Sequence, residues 1–254
     1  MQHSTKREKA FSCEFGKYAL ICNKDGFIGI GCNEEEIAVE ILNTIMGVLL
    51  MIGFPAHAVR PRELSQIEIN TESQTIGSSR SELSTMRAML NVSFGRDYLL
   101  FDHSRQLFLE SEILDLMRKS QGIHKIPKLA ELLRFMLEAE THLFNSDYSP
   151  AFMLGWIVLE RHISEVWAAS LRKKELSKES RRKMLNTAQW PIDNIIETLN
   201  LNSEIELSTY TLLIDLKNKR NNFMHRGYVI AQRDAERCLQ LAKEILKEKL
   251  SGFL

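Results

Sequence analysis

From Pro127 to the end of the chain, apolar residues recur at the three-then-four spacing of one helix face, and that pattern allows little besides a helical bundle. Leu129, Leu132, Leu133, Met136 and Leu137 form one stripe, and Phe152, Trp156, Leu159, Ile163, Val166 and Trp167 form a second. Ser149 and Pro150 mark the start of the second helix, with proline at the first helical position, where its missing N–H costs nothing. Pro191 opens a short helix through Leu199. Ile205 to His225 reads as the next helix, and Ala231 to Leu250 closes the bundle with Ala235, Leu239, Ala242 and Leu246 inward.

The N-terminal half has a different grammar. Residues 1–10 are polar and charged and are expected to lack fixed structure. Phe11, Cys13 and Phe15 alternate, Tyr18 to Cys22 continues the extended run, and Asn23 to Gly26 is a turn that returns a strand from Phe27 to Gly31. Asn33 is the expected cap of a helix, with Glu36 as its reciprocal partner. Ile37, Ile41, Ile45, Val48 and Ile52 are that helix's buried stripe, and Gly53 and Pro55 end it. Leu64, Ile67 and Ile69 indicate a strand, and the Ser- and Thr-rich run from Thr71 to Ser81 a loop. A strand over Asn91 to Asp102 and an amphipathic helix over Gln106 to Lys119 follow. Gly122 and Pro127 punctuate the junction. The expected fold class is therefore α+β, with a mixed α/β region over 1–122 and an all-α bundle over 127–254.

Composition excludes some classes of function. The formal net charge is zero, so the chain carries no global signature of a nucleic-acid binder. Charge is concentrated locally, however: Arg172 to Lys183 holds seven Lys and Arg residues against Glu175 and Glu179. Such a run is either a solvated face or a patch that steers a polyanion. Cys13, Cys22, Cys32 and Cys238 show no CxxC pairing, which argues against a zinc site and for a reducing, cytoplasmic setting. The longest apolar run, Ile45 to Phe54, is too short to span a bilayer, so no membrane partner is expected. There is no Gly-rich phosphate loop, no HExxH pattern and no nucleophile elbow, and no cofactor or metal is implied. His57, His103 and His124 are scattered without ligand spacing.

One stretch does not fit a plain bundle: Arg220-Asn221-Asn222-Phe223-Met224-His225-Arg226-Gly227. Leu213, Leu216, Arg220 and Phe223 share one face, so a permanent cation sits where an apolar residue is expected and needs an anionic partner. Asn221 and His225 are four apart and stack on one side of the same helix. A guanidinium fork matches phosphate oxygens, an imidazole moves protons near neutral pH, and an amide positions either one. Together these suit transfer at a phosphodiester, where RNA supplies its own 2′-hydroxyl nucleophile. A plainer arrangement uses the same residues as the last turn of a helix, with Gly227 after it and cations on the terminal carbonyls. On one continuous helix Arg220 and His225 lie about 140° apart around the axis, so convergence on one phosphate needs either two copies pooling their motifs or a break in the helix.

The spacing Arg220-Asn221, three further residues, then His225, late in an all-helical C-terminal half and followed by one more long helix, resembles the HEPN domain family. The lead-in Leu216 to Lys219 and the exit through Gly227 to the helix from Ala231 are similar to that family too. The resemblance covers about the last half of the chain. It implies a metal-independent endoribonuclease acting as a homodimer with a composite active site, with Arg220, His225 and Asn221 as catalytic residues and RNA as substrate. It further implies a toxin or antiviral-defence effector, with an antitoxin or an activating ligand as an additional partner. Two alternatives stay open: a HEPN module that binds RNA or a nucleotide without cutting it, and a structural dimerisation bundle in which Arg220 pairs with a carboxylate. Glu160, Arg161 and His162 sit together on an upstream helix. Neighbours on a helix point different ways, so they read as a surface ion pair rather than as part of the site.

Overall fold

At Gly16 the first apolar run turns back on itself. Strands β1 (Lys9–Phe15) and β2 (Tyr18–Asn23) pair antiparallel, Phe15 opposite Tyr18, across a two-residue loop. Gly16 at the loop's first position has φ +63°, the left-handed geometry that a tight hairpin needs and glycine adopts without strain. Strand β3 (Ile28–Ile30) adds to β2, giving a three-stranded antiparallel sheet in the order β1-β2-β3. The sequence pattern predicts the return strand but makes Phe11 to Cys22 one extended run, because Gly16 is an inconspicuous turn signal.

The computed structural model describes residues 9–23, 28–64, 66–70, 75–79, 109–186 and 188–254. The turn expected at Asn23 to Gly26 falls mostly outside these residues, as does the strand expected over Asn91 to Asp102. Lys9 and Ala10, expected to lack structure, begin β1. The fold class is α+β. Contacts divide the chain into two compact units, Met1–Leu49 with Ala58–Pro127, and Leu50–His57 with Lys128–Leu254.

In the first unit, helix α1 (Glu35–Met51) buries Ile41, Ile45 and Val48, while Ile37 is half-buried and Ile52 lies beyond the helix end. The helix starts later than expected: its first main-chain bond runs from Ala38 N–H to Glu34 O, so Glu34 rather than Asn33 is the cap. Gly53, at φ +102°, follows its end. The chain after the helix is clamped by Asn43, whose amide donates to Val59 O (3.0 Å) and accepts from Val59 N–H (2.7 Å). A second antiparallel hairpin joins β4 (Gln66–Asn70) to β5 (Thr75–Ser79). Here the expected loop is a strand. Serine- and threonine-rich composition marks polarity, but backbone pairing from Asn70↔Thr75 to Gln66↔Ser79 decides the conformation. Helix α2 (Glu110–His124) packs on β1, with His124 edge-on to the Phe15 ring (5.4 Å, 69°) and the Gln121 amide donating to Glu14 O. It runs through Gly122, which therefore does not end the region.

The second unit is the helical bundle: α3 (Pro127–Phe144), α4 (Tyr148–Lys173), α5 (Lys178–Leu185), α6 (Ile192–Leu201), α7 (Leu207–Arg226) and α8 (Gln232–Leu250). The apolar stripes expected from spacing are its core. Leu132, Leu133, Met136, Leu137, Phe152, Trp156, Leu159, Ile163, Trp167, Ala235, Leu239, Ala242 and Leu246 are all buried, while Leu129 and Val166 are half-buried. Each large side chain withdrawn this way contributes about 1.5–3 kcal/mol. Pro150 is the third residue of α4 rather than its first, because Asp147 is the cap.

Helices α4 and α8 form the closest pair and run parallel. Tyr148 Oη bonds Gln232 (3.1 Å) and Ser149 Oγ accepts from Ile230 N–H (3.4 Å) at one end, and Lys249 pairs with Glu165 toward the other. Gly155 lets them approach, since a Cβ there would come within 2.9 Å of Leu239 Cδ1 and 3.3 Å of Cys238 Sγ. A parallel pair needs a crossover, and α5, α6 and α7 provide it. Helix α7 returns antiparallel to α8, held by Asp215–Arg237 (2.7 Å) and Lys219–Asp234 (3.1 Å). This brings the end of α7 back to the start of α4.

Candidate functional site

Helix α7 buries Leu213 and Leu216 and is joined to α6 by Lys217–Asp193 (2.8 Å), with that lysine nearly enclosed. Its C-terminus is set by Gly227, at φ +67°. Gly227 N–H returns to Phe223 O (3.2 Å) and Tyr228 N–H to Asn222 O (3.3 Å), which satisfies two of the helix's open carbonyls. The helix is unbroken through Arg226, so no kink turns His225 toward Arg220.

Arg220 occupies the face expected for it, next along from Leu216, and is half-buried. Its Nη1 donates to Asn221 Oδ1 (3.1 Å), and its Nε is enclosed with no hydrogen-bond partner among the described residues. No carboxylate pairs with it there. The acids nearest in sequence are committed elsewhere: Asp215 to Arg237, and Asp234 to Lys219 and Arg237. Lys217 and Lys219 are likewise taken by aspartates. Arg220 is thus a partly desolvated cation, steadied by one amide and lacking the anion that its position calls for.

Asn221 spends its oxygen on Arg220, which leaves its Nδ2 as the group able to donate outward. His225 is exposed on the last turn, on the side of the helix that carries Asn221. Arg220 and Asn221 are brought together, whereas His225 stands apart from the guanidinium around the helix. Arranged so, the three residues can bind an anionic oxygen at Arg220 and exchange a proton with solvent or substrate at His225.

Three neighbours are not evident from the motif itself. Tyr228 and Val229, just past Gly227, are exposed at 59% and 86%, and Met224 is half-exposed beside His225. All three are exposed apolar residues within the motif stretch or directly after it. For Tyr228 and Val229 the signal lies in their position, since apolar residues directly after a helix-ending glycine have no helical face to join.

Glu160, Arg161 and His162 point different ways. Glu160 accepts from Trp156 Nε1 (2.8 Å), and Arg161 makes a forked pair with Glu131 (2.5 and 3.0 Å) while lying over the Phe135 ring. That bond and the nearby charge hold the Glu131 carboxyl below its ordinary range. Burial, and then Lys249, lowers the pKa of His162. Among the described residues no three His, Cys, Asp or Glu gather where they could hold a metal ion. No helix among them is long and apolar enough to cross a membrane. Comparison with family models, with curated proteins and with solved structures returned no match.

Proposed function

We propose that the chain is a metal-independent endoribonuclease of the HEPN type, acting as a homodimer whose two motifs share one cleft. The observation that carries this reading is Arg220: a half-buried guanidinium with an enclosed, unpartnered Nε and no carboxylate among the described residues. A structural arginine at that position would be expected to hold an acid. An arginine awaiting a phosphate would not.

In the proposed reaction the 2′-hydroxyl oxygen attacks the adjacent phosphorus, the bond to the 5′-oxygen breaks, and the products are a 2′,3′-cyclic phosphate and a 5′-hydroxyl. His225 takes the 2′-hydroxyl proton or supplies the proton to the leaving oxygen, and in a pooled cleft the two copies divide these tasks. Arg220 stabilises the charge that builds on the non-bridging oxygens. Asn221 holds the guanidinium through its amide oxygen and offers Nδ2 to the phosphate. An unbroken α7 favours pooling, because one helix alone keeps the guanidinium and the imidazole about 140° apart. The exposed Met224, Tyr228 and Val229 would give the pairing an apolar rim. We assign the enzyme to the cytoplasm as a toxin or antiviral-defence effector, with the N-terminal unit sensing an activating ligand or receiving an antitoxin.

The test is cleavage of a labelled mixed-sequence RNA in EDTA, wild type beside His225→Ala, with both shown to be folded dimers by light scattering and circular dichroism. Cutting by the wild type that disappears in the variant, with cyclic-phosphate ends, supports the reading. Tight binding of RNA that neither protein cuts would replace the nuclease with a binding module.

A further inference from the structure

The cations of Arg172 to Lys183 are not absorbed by the site, and the fold puts them far from it. Helix α4 starts beside Ile230, three residues past Gly227, so its N-terminal end lies at the motif's end of the bundle. Its other end is Arg172 and Lys173. Twenty-three residues at 1.5 Å each separate Ser149 from Arg172, about 35 Å.

The segment is built rather than loose. Ser177 caps α5 by accepting from Ser180 N–H (3.1 Å), and an Arg181 Nη2 reaches back to Lys174 O (3.4 Å), tying the connection to the helix. Trp167 Nε1 donates to Met184 O (2.9 Å), and the Trp167 and Trp190 rings stack, 6.2 Å apart and nearly parallel. On this fixed base Lys174, Lys178 and Arg182 are exposed, and none pairs with an acid among the described residues. The pairing that does occur, Lys183–Glu179 (3.1 Å), is solvent-exposed at both ends and weak. Arg172 and Lys173 have a local explanation in the carbonyl end of α4, and Arg182 in that of α5, but Lys178 does not: it is a cation in the first turn of α5, where the helix dipole disfavours it. In a chain of zero net charge, cations crowded with so little acid leave mutual repulsion that a polyanion would relieve.

We propose that this segment is a docking surface for the phosphate backbone of an RNA strand, placed at the opposite end of the bundle from Arg220 and His225. The inference rests on the ribonuclease reading for its choice of RNA. Held there, a strand would need about ten stacked nucleotides at ~3.4 Å each to reach a motif ~35 Å away. The surface therefore selects for length and not for base sequence.

The experiment uses the full chain and a fluorescein-labelled 20-nucleotide RNA with every 2′-hydroxyl methylated, which cannot be cut by 2′-hydroxyl attack. Anisotropy titrations are run over a range of KCl concentrations. The variant is Lys174→Gln/Lys178→Gln/Arg182→Gln, and the control is Lys125→Gln/Lys128→Gln/Lys247→Gln, which removes equal charge elsewhere. The segment variant is expected to bind roughly ten- to fiftyfold more weakly near physiological salt, with the log–log salt slope smaller by about 2. The control should stay within about twofold of wild type, and the wild type should bind a 6-nucleotide RNA, too short to reach both ends, more weakly than the 20-nucleotide strand. Unchanged affinity and slope in the segment variant, or an equal loss in the control, overturns the proposal. So does displacement of the RNA by poly-glutamate as readily as by unlabelled RNA, which would assign the surface to an acidic protein. Failure of the ribonuclease reading looks different: unmodified RNA stays intact while segment-dependent binding persists.

Discussion

Arg220 and His225 differ in burial, and this separates loss of chemistry from loss of stability. His225 is exposed, so His225→Ala should leave the melting temperature unchanged while slowing RNA cleavage by roughly 10²–10⁴-fold. Arg220→Ala should cost roughly 10²–10³-fold in rate. Because no acid among the described residues would be orphaned, its effect on stability should stay near ~0.5 kcal/mol, measured by denaturant unfolding. A large loss of stability with cleavage intact would make Arg220 a structural residue. His162 gives a pH prediction. Burial lowers its folded-state pKa below that of the unfolded chain, so the unfolded state binds the proton more readily. The neutral ring's contribution is complete above about pH 6.5 and is lost as pH falls from there through the folded pKa. Thermal melts should therefore show stability declining on acidification below that point, and less steeply in His162→Gln. At this scale the position of Arg220 was legible from the spacing of Leu213, Leu216 and Phe223. Its lack of an acid was not, because that depends on Asp215 and Asp234 pairing with groups on two different helices.

Among the elements, α7 and α4 each depend on one glycine for a different reason. A methyl group added at Gly227 would meet nothing within 4 Å, yet the φ of +67° there is unfavourable for any other residue. Gly227→Ala should destabilise by about 1 kcal/mol through backbone strain and fray the turn carrying His225. Amide exchange at Met224 to Arg226 would report this, and Gly227→Asn should be milder. Gly155 is the reverse case, sterically required in an ordinary helical conformation. Gly155→Val should push into Leu239 and Cys238 and cost about 1–3 kcal/mol, seen as a fall of several degrees in melting temperature. The helices were legible because three-four spacing survives any tertiary arrangement. Strand β5 and the cap at Glu34 were not, since a polar strand looks like a loop and Asn33 is the stronger capping residue in isolation.

For the molecule as a whole, the informative arrangement is the parallel pairing of α4 with α8. Both helices and their buried faces follow from apolar spacing, but their direction does not, because the intervening α5, α6 and α7 impose it. Between them Cys238 is fully buried, its thiol directed at Phe152 O (3.6 Å) and its pKa pushed up by desolvation. Cys238 should therefore resist a thiol reagent in the native protein and react only as the bundle opens, whereas half-buried Cys13 and Cys32 should react sooner. Mass spectrometry of iodoacetamide-treated protein would show it, and rapid native alkylation of Cys238 would contradict the packing described. The stacked Trp167 and Trp190 rings have an optical consequence. Of the chain's three tryptophans, these two form a coupled chromophore whose emission depends on ring separation, while Trp156 lies apart in the core against Glu160. Detachment of the α5 region would break the Trp167–Met184 bond and disturb the ring pair, so the cationic segment carries its own fluorescent reporter.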